Sequence, residues 1–109
     1  MPFHVYDCSI ELVESLAPLL ERLEVANADL ADQVRRAAAS TVLNICEGNK
    51  RVKRDRANRF RIAGGSAEEV RGALRVAVAF RWLVGDEVAP ANALVDRICA
   101  MTFKLAQKG

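Results

Sequence analysis

A chain of 109 residues with a net charge of +2, 51% hydrophobic residues, six glycines and three prolines has the composition of one globular domain, residues 1–109, with a core of its own. That excludes a disordered segment and a collagen-like repeat. Three cysteines without C-x-x-C spacing (Cys8, Cys46 and Cys99) and a single histidine, His4, exclude a zinc-type ligand pattern and a disulfide framework.

Ala, Leu, Val, Arg and Glu predominate and aromatics make up 6% of the chain, a mix that favours helices over sheets. Ile10, Val13, Leu16, Leu20 and Leu23 recur at helical spacing, with Leu12 and Leu19 widening the stripe. Pro18 inside that pattern predicts a kink or a loosened turn, because it lacks an N–H and crowds the carbonyl four residues back. Leu30, Val34, Ala37, Ala38, Thr41 and Ile45 form a second stripe, with Asp29 placed to cap its start and Gly48 to close its end. The third stripe, Phe60, Ala63, Ala67, Val70, Leu74 and Ala77, is the longest and is expected to end near Gly85. Asp86 then caps a fourth helix with Pro90 in its first turn, and Leu94, Ile98, Met101 and Leu105 supply its apolar face. Four helices on short loops predict an all-α, antiparallel up-down-up-down four-helix bundle with a long third helix.

The third segment carries a local conflict. Gly64 and Gly65 each cost about 1 kcal/mol in a helix interior relative to alanine. Ser66 followed by Glu69 also fits a capping box. These local rules favour a break, and the competing reading is one continuous helix whose glycines admit a close neighbour.

Charge is segregated along the chain. Residues 1–32 hold seven acids and one arginine, whereas Lys50, Arg51, Lys53, Arg54, Arg56, Arg59 and Arg61 are opposed within their stretch only by Asp55. Such asymmetry suits either a polyanion or a neighbouring subunit. No apolar run approaches the ~18 residues that span a bilayer, and "MPFHVYD" lacks the basic and apolar regions of a signal peptide. A cytoplasmic, membrane-free protein is therefore expected.

At "RRAAASTVLNICEG" and "FRIAGGSAEEV" the chain resembles the four-helix-bundle family of 23S ribosomal RNA intervening-sequence proteins, relatives of the accessory variability determinant of diversity-generating retroelements. The family pattern runs R-R-A, S-I-P-x-N-I-A-E-G, a basic stretch, then F-x-x-I-A-x-G-S-x-x-E. Arg35, Arg36, Ala37, Ser40, Asn44, Ile45, Glu47, Gly48, Ile62, Ala63, Gly65, Ser66 and Glu69 match it, and Phe60 supplies its aromatic one residue nearer the Ile-Ala pair. Thr41 and Val42 stand where the family has Ile-Pro, and Cys46 where it has Ala. The resemblance implies a third helix running through the glycine pair and a homopentamer; it does not imply an enzymatic activity, and no cofactor is expected. The retroelement relative binds a reverse transcriptase and nucleic acid, so RNA, DNA or a nucleoprotein is an expected partner.

The motif residues Arg36, Ser40, Asn44, Glu47, Gly48, Gly65, Ser66 and Glu69 are expected to form a polar network that fixes helix register. Within it, an Arg36–Glu69 ion pair crosses the hairpin, and Gly65 permits close approach. Lys50, Arg51, Lys53, Arg54, Arg56 and Arg59 are the candidate nucleic-acid contacts. The block holds no aromatic but Phe60, which the periodicity puts in the core, so contact with the phosphate backbone is favoured over base recognition. The alternative is a structural or protein-interaction ring in which this block pairs with the acidic first helix of a neighbour. Phe80, Trp82 and Leu83 exceed what one core stripe requires and are candidate oligomer contacts. A lone terminal histidine and adjacent Glu68 and Glu69 give no nucleophile–base pair or carboxylate dyad, so an enzyme is not expected.

Overall fold

In the computed structural model, which describes residues 2–108, four helices follow in order: α1 (Pro2–Ala26), α2 (Ala28–Lys50), α3 (Lys53–Ala79) and α4 (Gly85–Lys108). Each packs on its chain neighbours and α1 closes the ring onto α4, giving the antiparallel bundle the stripes predict, 42 Å along its longest axis.

The helix ends differ from expectation in instructive ways. One residue, Asn27, joins α1 to α2 in an extended conformation and accepts the Leu30 N–H at 2.8 Å through Oδ1. Asn27 is therefore the cap, and Asp29 instead sits in the first turn, where its charge suits the helix dipole. Helix α2 continues past Gly48 to Lys50 and is closed by the Arg51 N–H donating to the Gly48 carbonyl at 3.3 Å. It runs unbroken through Thr41 and Val42. Helix α1 likewise stays helical through Pro18, which is exposed, as is Glu14 four residues before it.

Helix α3 stops at Ala79, well short of Gly85, because Arg81 takes a left-handed backbone at φ 64°. The Trp82 and Leu83 N–H groups then both donate to the Ala77 carbonyl, at 2.9 and 3.3 Å. A glycine takes this conformation without the Cβ penalty. Arg81→Gly is therefore expected to raise stability by about 0.5–1 kcal/mol, read as a higher thermal midpoint. Helix α4 begins at Gly85, which places Asp86 in the first turn rather than at the cap and Pro90 beyond that turn.

The core is built from Val5, Cys8, Leu12, Leu16, Leu19 and Leu23 of α1, opposed by alanine-rich faces of α2 and α3 and by Val88, Ala91, Val95 and Ile98 of α4. Two stripes are rotated from the expected ones. Val13 is 40% exposed and Ile10 and Leu20 lie at the margin, while Cys8 and Ser9 are inside. On α4, Val95, Thr102 and Ala106 are buried and Leu94, Met101 and Leu105 only flank the core. Hydroxyl residues enter because each donates to a carbonyl of its own helix: Ser9 to Tyr6 at 2.6 Å, Thr41 to Ala37 at 2.8 Å and Thr102 to Ile98 at 2.8 Å. Leu83, expected at an oligomer surface, is 4% exposed and belongs to the core.

Helix α3 is continuous through Gly64 and Gly65, so Ser66 caps nothing. The close approach is made by Gly64 and not by Gly65, and toward α4 rather than α2. A Cβ on Gly64 would sit 2.9 Å from the Thr102 hydroxyl oxygen, whereas one on Gly65 would meet no atom within 4 Å. Gly65→Ala is accordingly expected to stabilise the fold by about 1 kcal/mol through helix propensity. Gly64→Ala is expected to lose that gain against the buried Thr102, and the two urea midpoints distinguish them.

Candidate nucleic-acid interface

The α2–α3 corner is organised by Phe60, which is fully buried. A Cβ on Gly48 would stand 2.9 Å from its ring atoms Cε2 and Cζ, so only glycine lets the ring seat against α2. The Arg56 guanidinium lies over the same ring, 4.8 Å from its centroid, and its Nη1 donates to the Gly48 carbonyl at 3.3 Å.

From this corner a polar chain runs up the α2–α3 seam. Arg59 Nη1 donates to Asn44 Oδ1 at 3.3 Å, Asn44 Nδ2 donates to the Ser40 carbonyl at 2.9 Å, and the Ser40 and Ser66 hydroxyls pair at 2.8 Å. Ser40, Asn44 and Ser66 thus meet across the two helices, which fixes register. Arg36 and Glu69 line one shallow groove with Gln33 and Ser40 but form no ion pair. Both side chains are exposed, and a solvated pair gains little against the entropy of holding two long side chains. Gly65 faces solvent and takes no part in this seam.

The basic block divides in three dimensions. Arg51 bridges Glu47 and Asp55, each at 2.9 Å, and its hydrogen bond holds the Glu47 carboxyl below the usual carboxylate range. Arg56 and Arg59 turn to the partners described above. Lys50, Lys53 and Arg54 are exposed at the tip and make no ion pair among the described residues, beside Val52, which is 71% exposed. The two acids nearest the tip are both held by Arg51, so little opposes the field of these three cations.

Elsewhere one acid of α1, Glu24, shares Arg35 of α2 with Asp32, at 2.7 and 3.1 Å, while the α1 cation Arg22 pairs with Glu87 of α4. Glu11, Glu14 and Glu21 are exposed without an ion-pair partner among the described residues. At the far end of the bundle Phe80, 63% exposed, stacks on Trp82 with centroids 4.6 Å apart and planes 13° from parallel. His4 is exposed at the start of α1. Among the described residues no cluster of His, Cys, Asp and Glu could hold a metal ion, and no helix is long and apolar enough to cross a membrane.

Sequence reasoning missed the Arg56–Phe60 clamp and the link from Arg71 to Glu68 and Asp96. Spacing of four between Arg56 and Phe60, and of three between Glu68 and Arg71, was the available signal. The contact of the Cys99 thiol with Glu68 at 3.5 Å joins two helices and left no such trace.

A sequence profile of the 23S rRNA-intervening sequence protein family matches residues 2–104. The fold matches the crystal structure of a protein of unknown function from the S23 ribosomal protein family of Bacteroides thetaiotaomicron. The TM-score is 0.83 at 20% identity, covering 94% of this chain and 98% of that one. No curated protein matches this sequence.

Proposed function

The chain belongs to the 23S rRNA-intervening sequence protein family, and on that footing we propose a non-enzymatic helical scaffold that grips the phosphate backbone of nucleic acid, bare or within a nucleoprotein. It does so as a homo-oligomer, a pentamer by likeness to the family, with the α2–α3 tip of each copy as the contact. The observation that carries this reading is the set of Lys50, Lys53 and Arg54, exposed and, among the described residues, without ion-pair partners at one end of the bundle. Their neighbours Arg51, Arg56 and Arg59 hold the turn that presents them. Repetition around an assembly multiplies modest contacts, because each further tip binds intramolecularly once the first is engaged.

The competing reading is a structural ring in which the tip pairs with α1 of a neighbour. The exposed, unpaired Glu11, Glu14 and Glu21 favour it. One set of substitutions separates the two. Lys50→Glu, Lys53→Glu and Arg54→Glu together are expected to abolish binding of a fluorescent DNA duplex while light scattering reports an unchanged mass. Dispersal of the oligomer, with nucleic-acid binding absent from the unsubstituted protein, would support the ring instead.

A further inference from the structure

We propose that the groove between α3 and α4 binds a small planar organic anion, its flat apolar body on the Gly64–Gly65 backbone and its charge at Arg61. The groove measures about 420 Å³, within the range of small-molecule sites.

Its floor is unexplained by folding. Gly64 is required where Thr102 crosses, but Gly65 has open space at its Cβ position and carries the penalty of a glycine in mid-helix. What its missing side chain leaves is a strip of bare helix backbone on which a flat molecule can lie. Phe103 of α4 borders that strip and is 64% exposed, an aromatic face that the core does not use.

The charges favour an anion. Arg61 lines the groove, is exposed and makes no ion pair among the described residues. The carboxylate in the groove, Glu68, is held by Arg71 at 3.1 and 3.2 Å and accepts the Cys99 thiol at 3.5 Å. Arg71 is shared with Asp96, so the charge of Glu68 is compensated only in part, and Arg61 is the cation left to meet a ligand's charge. Burial, with Glu68 adding to it, pushes the Cys99 thiol up to about 11, so it adds no negative charge at neutral pH.

That thiol also gives a separate check. At pH 8 only about one Cys99 in a thousand is thiolate, so Cys99 in the folded protein is expected to alkylate far more slowly than in urea. Equal rates would contradict the burial described. Because the folded value is raised, the associated stability is complete below about pH 8.5 and is lost as pH rises toward 11.

The direct test is a fluorescence titration of the full chain with anilinonaphthalene sulfonate, an aromatic anion with a flat naphthalene body. One saturable site per chain is expected, lost in Gly65→Leu and retained in Gly72→Leu. Gly72 is the matched control, since it too is an exposed α3 glycine with open space at Cβ and lies outside the groove. Arg61→Gln is expected to weaken binding about threefold. Phe103→Ala, which alters an exposed side chain and no helix backbone, is expected to weaken it as well. Unsaturable dye binding, or equal effects of the two leucine substitutions, overturns the proposal. So does the absence of dye binding while Gly65→Leu changes the mass by light scattering, for the groove is then covered by a second copy.

Discussion

Replacing Phe60 with alanine is expected to lower the unfolding free energy by about 3–5 kcal/mol, a large share of what a domain of this size possesses. The ring is fully buried, lies against the backbone of α2 at Gly48 and supports the Arg56 guanidinium. Its loss opens a cavity at the corner that holds the tip. Gly48→Ala is expected to cost about 1–2 kcal/mol, since the overpacking strain against the ring exceeds the gain in helix propensity. The two changes should not add. In a Phe60→Ala background the obstacle at 2.9 Å is gone, so Gly48→Ala should turn from destabilising to stabilising by up to about 1 kcal/mol. Urea unfolding of the four proteins checks this. A Gly48→Ala effect of the same sign and size in both backgrounds would show that the ring is not what the glycine accommodates.

The sequence carried the four helices because their apolar residues recur at helical spacing and their loops are short. Local rules failed at Gly64–Gly65, where they favoured a break, and the family resemblance supplied the continuous helix. The reason is tertiary: Thr102 of α4 occupies the space beside Gly64, and nothing in α3 announces that. Registers slipped by a residue in α1 and α4 because Ser9 and Thr102, polar by composition, satisfy their hydroxyls within their own helices and enter the core. Leu83 was misplaced for a related reason, since the left-handed Arg81 turns the chain back over the bundle end.

The candidate site was legible as a run of cations and no further. Which of them are available depends on partners set by the turn. Arg51, between the two helices, finds Glu47 and Asp55 four residues away on either side, Arg59 reaches fifteen residues back to Asn44, and Lys50, Lys53 and Arg54 reach no acid among the described residues. The expected Arg36–Glu69 pair rested on matching helix levels alone. Two exposed side chains at one level have little reason to pair.

The central claim concerns the three tip cations, and counterion release makes it measurable. Each phosphate contact to duplex DNA contributes a log–log salt slope of about −0.9, so three contacts per chain predict a slope of about −2.7 or steeper. Between 50 and 200 mM salt that corresponds to about a fortyfold loss of affinity. The measurement is fluorescence anisotropy of a labelled duplex across that range, for the unsubstituted protein and for the Lys50→Glu, Lys53→Glu, Arg54→Glu variant. The account predicts a steep slope for the first and no detectable binding by the second. A flat slope, or the same affinity in both proteins, would contradict it.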